Sequence, residues 1–300
     1  MDVSVIILTH NTRTLTCTCV RAALDDAAAS GLSTEVIVVD NASTDGTAQA
    51  IRDAFVDVRV IEAGENLGFA RGNNLGLAAA RGRYRFLLNS DAFVQPGALR
   101  TLASFLDAHP DAGACGPMLL NEDGSLQPSG RPLPTVWSVF VDMTKLYRLA
   151  RRNVFEERDR DYSRVARVGE ISGAALMLRR EAYEATGGFD PAFFAYYEDI
   201  DLCKRIGEAG FAIYYVPDAK VMHLWRRTSR GLPEASYRAG VDSLRYYFYK
   251  HHGRAAEAAV QLMLAGREMS LMLASALRGR RERAAFHRRM LARALARRSL

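Results

Sequence analysis

Glu35-Val36-Ile37-Val38-Val39-Asp40-Asn41-Ala42-Ser43-Thr44-Asp45-Gly46 is the stretch on which the fold turns. Four consecutive β-branched apolar residues read as a strand buried on both faces. The strand ends in an acid. A polar turn rich in helix-capping residues follows and leads into helical periodicity near Thr47–Ala54. The same pattern repeats outward. Val3–Leu8 is a short apolar strand, followed by a helical stretch from about Leu15 to Ala29. Val58–Ile61 reads as a third strand, Gly72–Ala80 as a helix and Tyr84–Leu88 as a fourth strand. Pro96 opens a helix to about Ala108, and Ala112–Gly116 is again strand-like. This alternation predicts an α/β fold with a mostly parallel central sheet and helices on both faces. Ligands of such sheets sit beyond the carboxyl ends of the strands. Asp40, Asn66 and Asp91 all lie at or just after predicted strand ends.

The second half is less regular. Pro128–Asp161 holds three prolines and a charged stretch and reads as a connection, a lid or an acceptor-facing segment. Periodicity returns with a strand over Gly173–Leu178, helices over Arg180–Ala185 and Asp199–Ala209, and a strand over Phe211–Val216. From Ala235 onward the pattern is helical and increasingly basic. Three hundred residues with 49% hydrophobic and 25% charged content make an ordinary folded protein, not a disordered chain. The four cysteines match neither a zinc ribbon nor a redox CxxC pair, so reduced thiols are expected. No secretory leader and no transmembrane run is evident. The net charge is +6. From Arg254 to Leu300, eleven arginines face three glutamates, so the remainder is close to neutral and nucleic-acid binding by the core is not expected.

Several segments carry chemistry. Asn89-Ser90-Asp91 follows an apolar strand. One carboxylate there can hold a hard divalent cation, Mg²⁺ or Mn²⁺, if a substrate diphosphate completes the sphere; an ordinary turn or N-cap is the bland alternative. Asp40 can accept from the imide N–H of uracil or thymine, and Thr9 and Asn11 can line the same base pocket, or Asp40 can simply cap its turn. In the Gly-punctuated loop Glu65–Asn74, Arg71 can pair with a phosphate and Asn73 with sugar hydroxyls; a capped loop is the alternative. Glu198-Asp199 lies where helical periodicity begins. A carboxylate there can take the proton of an attacking hydroxyl, or merely complement the helix dipole. Asp201, deeper in the helix, fits the dipole role better. His223 is a candidate metal ligand or a structural histidine. Arg226 and Arg227 can clasp a diphosphate or form a solvated basic loop.

Together these motifs resemble the family-two inverting glycosyltransferases with the GT-A fold, and among them the bacterial rhamnosyltransferase-like branch. The resembling segments are Val5–Asn11, Val36–Gly46, Glu65–Gly76, Leu87–Gly97, Gly113–Gln127, Ile171–Asp190 and Tyr197–Lys204, in the expected order. The resemblance implies a nucleotide-diphospho-sugar transferase that inverts the anomeric carbon in one displacement. It implies Thr9, Asn11 and Asp40 at the base, and Asn66, Arg71, Asn73, Asn89 and Ser90 around the donor. Asp91 and His223 would lie at the metal, Gly173 and Glu198 near sugar or acceptor, and Asp199 would be the base. The first acid of the family's Asp-X-Asp element is Asn89 here, which leaves less negative charge for the cation. A dTDP- or UDP-linked sugar, rhamnose in this branch, and a glycan or lipid-linked acceptor are the implied substrates. A non-catalytic nucleotide-sugar binder or scaffold is the alternative. A nucleotidyltransferase is not supported, because the sequence shows no Gly-rich, Lys-bearing activation loop near the N-terminus.

The expected division is a catalytic domain over 1–234 and a basic helical extension over 235–300. Within the first, about 1–127 would bind nucleotide and about 170–234 would carry acceptor and base. The extension is both apolar and cationic, which suits an anionic membrane surface, packing on the catalytic domain, or self-association into a homo-oligomer. A cytoplasmic location, peripheral at the inner face of the cell membrane, is the corresponding expectation.

Overall fold

The computed structural model describes residues 1–146, 160–224 and 233–296. In chain order the elements are β1 (Val3–Thr9), α1 (Arg13–Ser30), β2 (Thr34–Asp40), α2 (Thr47–Ala54), β3 (Arg59–Glu62), α3 (Gly68–Ala79), β4 (Tyr84–Asn89) and β5 (Ala92–Val94). Then come α4 (Ala98–Ala108), β6 (Ala112–Leu120), β7 (Leu126–Gln127), α5 (Val136–Thr144), β8 (Ala166–Val168), β9 (Ala175–Arg179) and α6 (Arg180–Thr186). The chain continues through α7 (Glu198–Glu208), β10 (Ala212–His223), α8 (Pro233–Leu277) and α9 (Arg281–Leu295). It divides into two compact units. The first comprises Met1–Pro132, Arg160–Phe194 and Glu198–Arg230; the second comprises Leu133–Asp159, Ala195–Tyr197 and Gly231–Leu300.

The first unit is built on one sheet with main strand order β3-β2-β1-β4-β9-β6-β10-β5. Strands β3, β2, β1 and β4 are parallel, as the alternation predicts. Strand β9 runs antiparallel to both neighbours, β4 and β6, so the sheet is mixed. Register aligns the strand ends. Thr9 lies level with Asp40, and Leu8 with Asn89, so three strands end along one edge. The antiparallel β9 begins at that edge, with Ala175 beside Leu88.

Two expectations need correction. The strand expected over Phe211–Val216 continues past Pro217 to His223 as β10, with a register shift between Val216 and Lys220. Proline is tolerated in a sheet at such a bulge. The helix expected over Gly72–Ala80 starts earlier, at Gly68. Gly68 has φ of 77°, and a Cβ there would lie 2.5 Å from the carbonyl oxygen of Phe194. Further along α3, a Cβ at Gly76 would come within 2.3 Å of Ile6 Cγ2. Glycine lets this helix lie directly on β1.

Packing obeys the sequence periods. On α4, Leu99, Leu102, Ala103 and Leu106 are buried at helical spacing and join Val5, Ile7, Val36, Val38 and Phe86 in the core. In the second unit, α5 occupies part of the segment expected to be irregular. Thr135 and Ser138 form a capping box at its start, and it packs against α8. Helix α8 is broken at Gly253, where φ is 81°, and its later part packs against α9. A buried polar centre joins the two: Glu268 accepts from His287 Nδ1 at 2.8 Å and from the Tyr237 hydroxyl. No helix among the described residues is long and apolar enough to cross a membrane.

Candidate active site

The expected site residues of the first unit gather at the edge where β1, β2 and β4 end. Thr9 is buried and exchanges hydrogen bonds with Thr12 at 2.9 Å and Thr16 at 2.7 Å. Thr12 reaches Ser90 at 3.0 Å. A hydroxyl web therefore ties the first helix to the Asn89-Ser90-Asp91 triplet. Asn11, at φ of 53°, caps the neighbouring loop: its Oδ1 accepts from Thr44 N at 2.7 Å. Asp40 is buried and its carboxylate accepts from Ser43 N at 3.3 Å.

Asn41 reads as an ordinary turn residue in the sequence, yet it organises this edge. Its Nδ2 donates to Asn66 Oδ1 at 3.0 Å, its Oδ1 accepts from Leu67 N at 2.8 Å, and its carbonyl meets His10 Nδ1 at 2.8 Å. Asn66 also accepts from Gly68 N. Asn73 is buried and donates to Phe69 O at 3.0 Å, within its own helix. Arg71 is exposed on the same helix. Arg226 and Arg227 lie outside the described residues.

Asp91 and His223 come together because of β5, a three-residue strand too short to read in the sequence. It pairs antiparallel with β10 and sets Ala92 opposite His223. His223 Nε2 lies 3.5 Å from Asp91 Oδ1, and Leu224 N donates to Asp91 O at 2.9 Å. The other ring nitrogen, Nδ1, donates to Gln127 Oε1 at 2.7 Å. That bond fixes the ring with Nε2 turned toward Asp91, as in metal sites where a second partner orients the imidazole. No group of three or more His, Cys, Asp or Glu suited to a metal ion occurs among the described residues. One carboxylate and one imidazole fit a divalent cation whose remaining positions go to substrate oxygens and water.

Asp199 is tied to the same edge through backbone. Its Oδ2 accepts from Gly173 N at 2.9 Å and its Oδ1 from Ile200 N at 2.9 Å. Next to Gly173, the Ala174 carbonyl accepts from Asn89 N at 3.0 Å. The Asp199 carboxylate and the Asn89–Asp91 triplet are thus linked through Gly173 and Ala174, just before β9. A Cβ on Gly173 would press on Phe69 at 3.2 Å and on Asp199 Cβ at 3.4 Å. Asp201 is fully buried and pairs with Arg205 at 2.8 Å, whose other nitrogens donate to the carbonyls of Thr186 and Gly188. That acid is structural.

Comparisons with known proteins give the family and the fold. The model of glycosyl transferase family 2 covers residues 4–187, and that of the N-terminal domain of galactosyltransferase covers 160–226. The chain belongs to glycosyl transferase family 2. An N-acetylglucosaminyl-diphospho-decaprenol L-rhamnosyltransferase of Mycobacterium tuberculosis is 34% identical over 73% of this chain and 76% of its own length. The rhamnosyltransferase WbbL of Escherichia coli is 26% identical over 59% of this chain and 68% of its own. Among solved structures, the mannosyltransferase PcManGT from Pyrobaculum calidifontis, in complex with GDP-Man and Mn²⁺, aligns with a TM-score of 0.56 at 20% identity, over 98% of this chain and 85% of that one. GalNAc-T7 with UDP, GalNAc and Mn²⁺ aligns with a TM-score of 0.59 at 16% identity, over 82% of this chain and 47% of that one. The fold is GT-A.

Two further acids surround the base candidate of this glycosyltransferase. Glu198 is buried, one of its carboxylate oxygens has no hydrogen-bond partner, and burial and then the neighbouring Asp199 push its pKa well above the usual value. Glu170 does not stand out in the sequence. It is buried against Arg131 at 3.3 Å, and burial raises its pKa from 4.5 to about 8, with Arg131 opposing and Asp199 adding to the rise. Just before Glu198, Tyr196 and Tyr197 have φ of 68° and 65°. Two successive aromatic residues in the left-handed region carry backbone strain, a common feature beside functional groups.

Proposed function

We propose that this glycosyltransferase moves a sugar, rhamnose by analogy with its 34%-identical relative, from a dTDP- or UDP-linked donor to a hydroxyl of a glycan or lipid-linked glycan. The observation that carries the reading is the link of Asp199 through Gly173 and Ala174 to Asn89, two residues from Asp91. A carboxylate beside one end of a displacement and a phosphate-binding corner beside the other suit an in-line reaction with inversion.

Asp199 is the general base. Two backbone N–H groups, of Gly173 and Ile200, hold its carboxylate in place. As the acceptor oxygen bonds to the anomeric carbon, its proton passes to Asp199 and the bond from that carbon to the diphosphate breaks. The nucleoside diphosphate leaves. Such base catalysis is worth roughly 10²–10⁴-fold. Asp91 and His223, with Gln127 behind the ring, would hold Mg²⁺ or Mn²⁺. When bound, such a cation neutralises charge developing on the leaving diphosphate. Thr9, Asn11 and Asp40 frame the base of the donor; Asn66, Arg71, Asn73, Asn89 and Ser90 shape its surroundings. Arg226 and Arg227 are proposed diphosphate partners. Glu198, whose carboxyl is shifted toward the protonated form by burial and then by Asp199, is suited to donate a hydrogen bond to sugar or acceptor, beside Gly173.

The test is transfer by the purified chain. dTDP-rhamnose and UDP-sugars are offered with a diphosphate-lipid-linked N-acetylglucosamine, with and without divalent metal, and the product is read by mass spectrometry. Metal-stimulated transfer of one sugar is expected. Donor-dependent thermal stabilisation with no transfer to any hydroxyl would make the chain a nucleotide-sugar binder instead.

A further inference from the structure

The part of α8 beyond Gly253 has two faces. Val260, Leu264, Glu268 and Ser275 are buried on one side, where α9 packs and His287 bonds Glu268. The opposite side carries Ala258, Leu262, Gly266, Met269, Leu273 and Leu277, spaced by four, four, three, four and four residues. That spacing makes one continuous stripe. All six are exposed: Leu262 is 69% exposed, Met269 47%, Leu273 54% and Leu277 90%. An outward helix face in water is ordinarily charged or polar. This one has no charged residue, and a contiguous exposed apolar patch marks a binding surface.

The charge lies at the ends of the stripe. Arg278, Arg280, Arg281 and Arg283 come directly after it, and Arg254 precedes it. All five are exposed and none forms an ion pair with another described residue. Glu282 is the one acid in the run from Arg278 to Arg283. We propose that the outer face of α8 from Ala258 to Leu277, with these arginines, is a docking surface for an anionic lipid bilayer. The helix lies in the interface, leucine and methionine side chains entering the acyl boundary and guanidinium groups meeting lipid phosphates. Leu262 to Leu277 spans about 22 Å along the helix axis. Charge decides against a second copy of the chain as the occupant. Pairing two stripes in parallel sets the arginine cluster against itself, and pairing them antiparallel sets it against Arg254.

The test is co-sedimentation of the full chain with phosphatidylglycerol-containing vesicles and with phosphatidylcholine vesicles. It reads binding without sugar transfer, so it stands apart from the transferase reading. Binding to the anionic vesicles alone, weakened by salt, is expected. The variant L262S/M269S/L273S/L277S should lose more than about tenfold in partitioning. The variant R278Q/R280Q/R281Q/R283Q should lose roughly fivefold per arginine. Circular dichroism and melting establish that both stay folded. Leu273→Trp, at an exposed position, gives a second readout: an emission blue shift on anionic vesicles, relative to the parent chain, supports the proposal. Absent or charge-indifferent binding overturns it, as do unimpaired binding by the apolar variant and an unshifted tryptophan. Dimers of the parent that the apolar variant abolishes, without vesicle binding, assign the face to a second copy and also overturn it.

Discussion

The ends of β1 and β2 and the start of α7 are both polar, yet they handle polarity in opposite ways. At the strand ends the polar groups satisfy one another. Thr9, Thr12, Thr16 and Ser90 share hydroxyl bonds, Asn11 caps the loop at Thr44, and Asn41 holds Asn66 and Leu67. At the start of α7, Glu198 has a buried oxygen without a partner, Glu170 is a carboxyl forced into the interior, and Tyr196 and Tyr197 take left-handed backbone. Satisfied networks give a rigid frame, and stored strain marks a place built for something other than stability. In the proposed function, the difference separates a frame that would receive the donor from the group that would act as base.

The largest effect that would break this contrast is at Asp199. Asp199→Asn should lower turnover by roughly 10²–10⁴-fold while the donor dissociation constant, read by calorimetry, stays within about twofold. Near-normal turnover would remove the base from this region. Next comes the histidine's support. Gln127→Ala should weaken metal-dependent donor binding by roughly 10–100-fold, because the ring of His223 loses the bond that orients it. Unchanged affinity across a Mn²⁺ titration would separate His223 from any metal.

The frame should respond in stability rather than in chemistry. Gly76→Val brings a side chain onto Ile6, where even a Cβ would sit 2.3 Å from Cγ2, and should cost about 1–3 kcal/mol in urea unfolding. A neutral result would mean α3 does not bear on β1 as described. The last effect is a pH signature. Folded Glu170 titrates at about 8, above its ordinary 4.5, so the folded chain holds the proton more tightly. Its contribution is fully present below 4.5 and is lost as pH rises through about 8. Glu170→Gln should therefore flatten the decline of stability with pH across that window. An unchanged profile would mean Glu170 is not the buried acid responsible.

Much of the frame is legible in the sequence alone. β1, β2 and β4 announce themselves as apolar runs, and each ends at a polar residue that lies on the shared edge. Parallel pairing follows from the intervening helices. The second half is less legible for definite reasons. β5 has three residues, below the length at which alternation can be counted, and without it His223 has no visible neighbour. Pro217 reads as a stop, yet it sits in a bulge of β10. Nothing local tells that β9 runs antiparallel. Asn41 and Gln127 are polar residues in polar surroundings, and only register gives them partners. Glu170 looks like any acid before a strand; its burial is a tertiary fact. In the second unit, the basic character of the tail is plain, but the uncharged outer stripe on α8 emerges only once the face that α9 covers is known.

The proposed reaction is a single in-line displacement, with Asp199 deprotonating the acceptor on one side of the sugar and the diphosphate leaving near Asp91 on the other. The anomeric configuration of the product tests it most directly, read from the one-bond carbon–hydrogen coupling at the transferred sugar's C1. Configuration opposite to that of the donor is expected. Retention would contradict it, since one displacement flanked in this way cannot preserve the anomeric centre.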